Sequence, residues 1–180
     1  MNKITLPVSE LKKALSGLTK VISKRAVLPV LQHVRVEQLS DGALTISATD
    51  LEAFTSYQFE QGGEGNAEPI LMPFSALHSI VKGCAGKENI GREKLTGDHI
   101  AIRYQIGGQE TEQQVPSLPE EEWPAAPTIN REGVLLNGAL RSALLEALKC
   151  ASSDETRYVL RGAYIDVSDK GSHYVIGTDG

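Results

Sequence analysis

Residues 44–52, LTISATDLE, and residues 174–180, YVIGTDG, follow one pattern: an apolar alternating run, a small residue, then Thr-Asp. Alternation with a period of two is the mark of a half-buried strand, and Thr-Asp supplies turn chemistry through short side-chain oxygens. Laying Thr49 on Thr178 sets an offset of 129 residues. At that offset LPVSELKKALSGL (6–18) meets LNGALRSALLEAL (136–148) within one residue of register, each an amphipathic helix pattern behind a Leu. LSDGALTI (39–46) likewise meets VSDKGSHYVI (167–176), each with a Ser-Asp turn containing Gly. Three elements in the same order predict a repeated module of about 130 residues, present once whole and once in part, with a period too long for a solenoid.

Within the first copy the patterns predict a strand over 2–6, a helix over 8–22, and strands over 31–38, 43–49 and 52–59. QGGEGNAEP (61–69) is a turn-rich break, after which the order begins again. A strand at 69–72, a helix at 74–82 opened by Pro73, and strands near 88–94, 98–104 and 109–115 follow, with a turn at Gly97-Asp98. The module therefore reads as two strand–helix–three-strand units, an α+β arrangement with helices on one face of antiparallel sheets. VPSLPEEEWPAAPTIN (115–130) carries Pro116, Pro119, Pro124 and Pro127 and reads as a linker without regular structure, pinned by Trp123. Its acids, Glu120–Glu122, read as solvated surface. A third unit starts near residue 132 and reaches 180 without its last strand.

An apolar share of 41% in 180 residues supports a real core. No run nears the roughly 18 apolar residues of a membrane span, and MNKITLPVSELKK lacks a signal-peptide core. Cys84 and Cys150 match no zinc spacing and suit a reducing cytoplasm. The formal charge of −5 argues against a general nucleic-acid binder, unless cations are gathered locally. Wound at about 100° per residue, Leu11, Leu15, Leu18 and Ile22 form a core stripe, while Lys13, Lys20 and Lys24 form a line opposite. Lys12 falls on the flank, Arg25 just beyond, and Glu10 is the single acid nearby. The second helix sets His78, Ser79 and Lys82 away from Phe74, Leu77 and Val81. The third sets Ser142 and Lys149, together with Glu146, away from Leu140, Ala143 and Leu144. Such faces either solubilise the chain or line a surface for a polyanion, where contacts to phosphate carry no sequence information.

The sequence holds no recognisable catalytic constellation. GCAGKE (83–88) lacks the phosphate-loop glycine, where Val81 stands, and the hydroxyl after its lysine, where Glu88 stands. His33, His78, His99 and His173 have no metal-ligand spacing. Each Thr-Asp aspartate ends a strand, where it serves as a turn cap rather than one of a catalytic pair. The reading is of a non-enzymatic protein with no catalytic residue, metal or cofactor; an enzyme with dispersed residues is the outside alternative.

SKRAVLPVLQHV (23–34), GALTISATDLE (42–52), PSLPEEEWP (116–124), DETRYVLRGAYIDV (154–167) and GTDG (177–180) together resemble the bacterial DNA polymerase III beta subunit, the sliding clamp, collinearly over the whole chain. The resemblance implies the DNA-clamp fold, with an N-terminal clamp domain over 1–126, a linker over 127–131 and the first part of a central domain over 132–180. Family members carry three such domains and close as a two-subunit ring, helices lining the hole. Lys13, Lys20 and Lys24 would then face DNA, joined by Lys82, Lys149, Tyr158 and Arg161. Arg25 stands at the family's DNA-contacting arginine, followed by Ala26 in place of proline. Asp154 stands where a polar amide can lie near DNA, and Val159 replaces the second tyrosine of a pair. Arg157, Leu160, Thr178 and Gly180 would form the near wall of the pocket that captures peptide tails of the polymerase and clamp loader. The implied function is a cytoplasmic replication processivity factor that tethers a polymerase to double-stranded DNA by topology. A clamp-like adaptor or decoy that binds replication proteins without encircling DNA is the alternative. An unpaired strand edge near 172–178 predicts self-association.

Overall fold

A computed structural model describes residues 3–23, 26–60, 68–95, 97–128, 130, 132–133, 135–169 and 171–180. The expected positions Lys24 and Arg25, and most of the 61–69 break, lie outside the described residues. The chain divides into two compact units, Met1–Pro127 and Thr128–Gly180.

The first unit runs β1 (Lys3–Pro7), α1 (Val8–Leu18), β2 (His33–Gln38), β3 (Leu44–Thr49), β4 (Phe54–Gln58), β5 (Ile70–Pro73), α2 (Phe74–Gly83), β6 (Asn89–Lys94), β7 (His99–Ile106) and β8 (Gln109–Pro116). Its two halves have the same order, and in each a proline, Pro7 or Pro73, holds extended backbone at the corner where the leading strand turns into the helix. The strands form two antiparallel sheets, ordered β1-β6-β7-β8 and β4-β3-β2-β5. Each sheet thus takes three strands from one half and the leading strand of the other: β1 crosses to β6, and β5 crosses to β2. Exchanging the halves maps one sheet onto the other, so the unit has a pseudo-two-fold axis. The exchange also makes neither half separable, because each leading strand completes its partner's ladder.

The core lies between the sheets and the two helices. Leu11, Ala14, Leu15 and Leu18 of α1, and Leu77, Ile80 and Val81 of α2, are almost wholly buried among Ile4, Val34, Val36, Ile46, Ile90 and Ile102. Full burial of one such Leu or Ile contributes about 1.5–3 kcal/mol. A smaller cluster of Val30, Leu31 and Leu71, with Leu118 and Trp123 against it, seats the proline-rich segment.

Several expectations are corrected. α1 ends at Leu18, not residue 22, because the two amides after Thr19 bond three residues back instead of four, Lys20 to the Gly17 carbonyl at 3.1 Å and Val21 to the Leu18 carbonyl at 3.0 Å. Residues 29–32 form a 3-10 turn, and the strand expected from 31 starts at His33. Pro116 ends β8 instead of interrupting it, as an edge strand tolerates the missing N–H. The linker contains a 3-10 turn at Glu120–Glu122, and Glu120 is no idle surface acid: it accepts from Arg35 Nη2 at 2.7 Å.

The second unit contains α3 (Gly138–Lys149), a kinked 3-10 segment (Glu155–Arg161), β9 (Tyr164–Asp166) and β10 (Tyr174–Ile176). Asn137 caps α3 by accepting from the Leu140 amide at 2.8 Å. β9 and β10 pair antiparallel with each other alone among the described residues. Gly177 is packed so tightly on α3 that an added Cβ would fall onto the Ala147 carbonyl oxygen and lie 2.7 Å from its carbon.

The Thr-Asp repeat survives as geometry. Thr49 Oγ1 accepts from the Leu51 amide at 3.0 Å, and Thr178 Oγ1 accepts from the Gly180 amide at 3.2 Å. Asp50 Oδ1 accepts from the Glu52 and Ala53 amides at 3.1 and 2.7 Å, the turn-capping role expected of it.

Candidate nucleic-acid interface

Because α1 buries one stripe, its opposite face presents Lys12, Lys13, Ser16 and Gly17 to solvent. Lys13 lies on the helix, whereas Lys20 lies in the turn just past it, its amide bonded to the Gly17 carbonyl at 3.1 Å. Both are exposed, so the expected line of lysines is a helix position followed by a turn position. On α2, His78, Ser79 and Lys82 are exposed, and the His78 ring stacks on Phe74 with centroids 5.5 Å apart. Lys82 occupies the last turn, where a cation meets the negative end of the helix dipole.

Between α1 and α2 runs an open groove of about 460 Å³ with Lys12, Ser16, Thr19, His78 and Lys82 along its walls over Leu15 and Val81. No acid lines it. Lys12 Nζ donates to the carbonyl of Cys84, the C-cap residue of α2, at 2.9 Å, bracing the two helices while keeping a positive charge at the groove. Periodicity within one helix could not reveal this groove, since its walls are set 66 residues apart, as from Ser16 to Lys82.

Pairing separates these cations from the rest. Arg35 binds Glu37 and Glu120, Lys94 binds Glu68, and Arg103 binds Glu93 and Glu112. Lys13, Lys20 and Lys82 form no ion pair among the described residues. Glu10, which the sequence sets beside the lysines, is turned inward at 7% exposure, with Oε2 accepting from the Glu60 amide at 2.7 Å. A chain of net charge −5 therefore exposes a face whose lysines form no ion pair among the described residues.

In the second unit, Lys149 is bound to Glu146 at 2.6 Å, which offsets its charge. Tyr158 is 79% exposed, and Arg161 is exposed with no ion pair among the described residues. Asp154 Oδ1 accepts from the Thr156 hydroxyl and amide at 2.7 and 2.9 Å, which holds its carboxyl below the usual carboxylate range. Arg157 reaches the other oxygen of Asp154 at 3.7 Å. Arg157, Leu160, Thr178 and Gly180 come together: a Cβ on Gly180, whose φ is +118°, would lie 2.7 Å from Arg157 Nη1 and 3.8 Å from Leu160 Cδ1. Among the described residues no cluster of His, Cys, Asp or Glu could hold a metal ion, and no helix is long and apolar enough to cross a membrane.

The family model for the DNA polymerase III beta subunit, N-terminal domain, matches residues 2–127. The beta sliding clamp of Rickettsia bellii is 27% identical over 183 residues, covering 100% of this chain and 46% of that protein. The beta sliding clamp of a Synechocystis species is 29% identical over 187 residues, covering 99% of this chain and 46% of that protein. The chain spans about half the length of the curated relatives it matches. A sliding clamp (DNA polymerase III subunit beta) from Bartonella birtlesii, solved bound to griselimycin, matches with a TM-score of 0.78 at 27% identity, over 99% of this chain and 47% of that one. The Caulobacter crescentus DNA polymerase sliding clamp gives a TM-score of 0.81 at 22% identity over 100% of this chain and 49% of that one, a likeness of fold.

Proposed function

The chain belongs to the DNA polymerase III beta subunit family, and from that membership we propose that it acts in DNA replication as part of a processivity clamp that encircles duplex DNA. Residues 1–126 serve as an N-terminal clamp domain and 132–180 as the first part of a central one. The observation that carries this reading is the α1–α2 face: among the described residues Lys13, Lys20 and Lys82 are exposed and form no ion pair, and no acid lines the groove that Lys12 and Lys82 flank. Lysine ammonium groups on flexible stems attract phosphates at any register of the duplex. Ser16 and Thr19 add hydroxyls that can donate to phosphate oxygens. No base edge is read, so a step along the duplex exchanges one phosphate for the next with little barrier.

The protein performs no chemistry in this role; it holds a polymerase near its template. Arg157, Leu160, Thr178 and Gly180 form one wall for short peptide tails of the polymerase and clamp loader, and copies of the chain associate with one another. The place of action is the cytoplasm. Binding to two duplexes of unrelated sequence, measured across a salt series, tests the reading. Equal affinities and a log–log salt slope of about −0.9 per phosphate contacted are expected. A preference for one sequence, or affinity indifferent to salt, overturns it.

A further inference from the structure

Among the described side chains along the α1–α2 groove, His78 alone belongs to a type that changes charge near neutral pH. Phe74, His78 and Lys82 stand one turn apart along a single edge of α2, as Lys12 and Ser16 do along the facing edge of α1. The exposed His78 ring lies nearly flat on Phe74, with centroids 5.5 Å apart and planes at 25°. Phe74 is itself 7% exposed and belongs to the core, so the imidazole has a fixed support beneath it. The stack engages the face of the ring and leaves the two nitrogens at its rim. Among the described residues neither nitrogen is engaged in a hydrogen bond or an ion pair. His33 is the contrast: it is half-buried, with Nδ1 2.9 Å from the Pro29 carbonyl.

The charges that face the ring from both helices are positive. Lys82 follows it by one turn on α2, and Lys12 stands across the groove on α1 with Nζ fixed at the Cys84 carbonyl, 2.9 Å away. Beyond the end of α1 the turn adds exposed Lys20, and no acid lines the groove. A proton arriving at the ring therefore meets two ammonium groups that oppose it and no lining carboxylate that receives it. A duplex laid on the same wall reverses that balance, because its phosphates favour every added positive charge.

We propose that His78 is a titratable phosphate contact, through which the hold on duplex DNA tightens as pH falls across the imidazole range. This rests on the assignment of the α1–α2 face to phosphate and adds a regulator of that face, local acidity. The proton comes from solvent and sits on the ring nitrogen that is bare in the neutral imidazole. Both ring nitrogens are then N–H donors, and the charged ring is paired with phosphate oxygen. By linkage, the proton taken up on binding appears as a pH dependence of affinity, with at most one proton per His78.

Fluorescence anisotropy of the 180-residue chain on a labelled duplex of about 20–30 base pairs, read at about pH 6 and about pH 8 across a salt series, tests it. The unaltered chain is expected to gain at least about threefold in affinity at the lower pH. Its log–log salt slope should steepen there by up to about 0.9, the equivalent of one further phosphate. His78→Gln should lose most of both changes. His78→Lys carries its charge at both pH values, so its affinity should vary with pH no more than that of His78→Gln. PH dependence in His78→Gln equal to that of the unaltered chain overturns the proposal, and so does salt-dependent binding that is the same at both pH values. The assignment of the face to phosphate survives either result. Binding indifferent to salt at both pH values overturns the two together.

Discussion

Replacing Lys13, Lys20 and Lys82 together by glutamine removes three exposed cations that have no acidic partner among the described residues. If each neutralises one phosphate, the log–log salt slope falls in magnitude by about 2.7, at roughly 0.9 per contact. Between 50 and 200 mM salt that difference amounts to about a 40-fold change in the ratio of the two affinities. The formal charge moves from −5 by three to −8, and a general charge effect must be separated from a local one. A control variant with Lys87, Lys94 and Arg103 changed to glutamine carries the same −8, but Lys94 and Arg103 are already bound to Glu68, Glu93 and Glu112. Fluorescence anisotropy on a labelled duplex of about 20–30 base pairs reads both slopes across the salt series. The helix-face variant should lose the slope and the control should keep it. Equal losses in the two variants, or a change below about one in the first, would refute the assignment of that face to phosphate.

Leu51 holds a φ of +79° and is 49% exposed, so Leu51→Gly should relieve backbone strain and raise stability by about 0.5–1 kcal/mol, read as a higher urea midpoint. Gly177→Ala drives a methyl into the Ala147 carbonyl; amide protection over 164–176 should fall at least about tenfold, with the first unit unchanged. Burial holds the His33 imidazole below its ordinary pKa of 6.5, despite its ring contact to the Pro29 carbonyl at 2.9 Å. On acidification the unfolded chain therefore takes up the proton first. Stability should decline as pH falls through the ordinary imidazole range and level off below the folded-state pKa; His33→Gln should flatten that part of a urea-midpoint profile.

The repeat was legible because strand alternation and the Leu/Ala stripes are local, and their physical cause, a face that must be buried, writes itself at fixed spacing. The crossing of β1 to β6 and β5 to β2 has no such signature, since a leading strand looks alike whichever sheet it joins. The overrun of α1 has a definite cause: the Ile22 amide still bonds to the Leu18 carbonyl, so apolar periodicity continues through a turn after the helix has closed at Thr19. Glu10 reads as a surface acid because its partner, the Glu60 amide, lies 50 residues away. Arg35 and Glu120, 85 residues apart, are hidden from sequence for the same reason. At the candidate interface Lys13, Lys20 and Lys82 could be picked out as cations opposite apolar positions. Their freedom from acids could not, because it depends on where every carboxylate elsewhere is engaged.

That distribution separates the two basic residue types. Among the described residues of the first unit, the arginines are Arg35, Arg92 and Arg103, and each is committed inside the protein. Arg35 and Arg103 each bind two carboxylates through different nitrogens of the fork. Arg92 is 1% exposed and donates to the Glu68 carbonyl at 3.1 Å; burial pushes its pKa down to about 10, leaving it charged at neutral pH. The exposed helix face carries lysines instead. A guanidinium grips a phosphate with two fixed hydrogen bonds and resists release, whereas an ammonium is a strongly hydrated point charge without a preferred register. A surface that must hold a duplex while letting it move needs total attraction without any strong individual bond. In the role proposed above, rigid forks engaged in structure and mobile point charges left on the exposed face would meet that requirement.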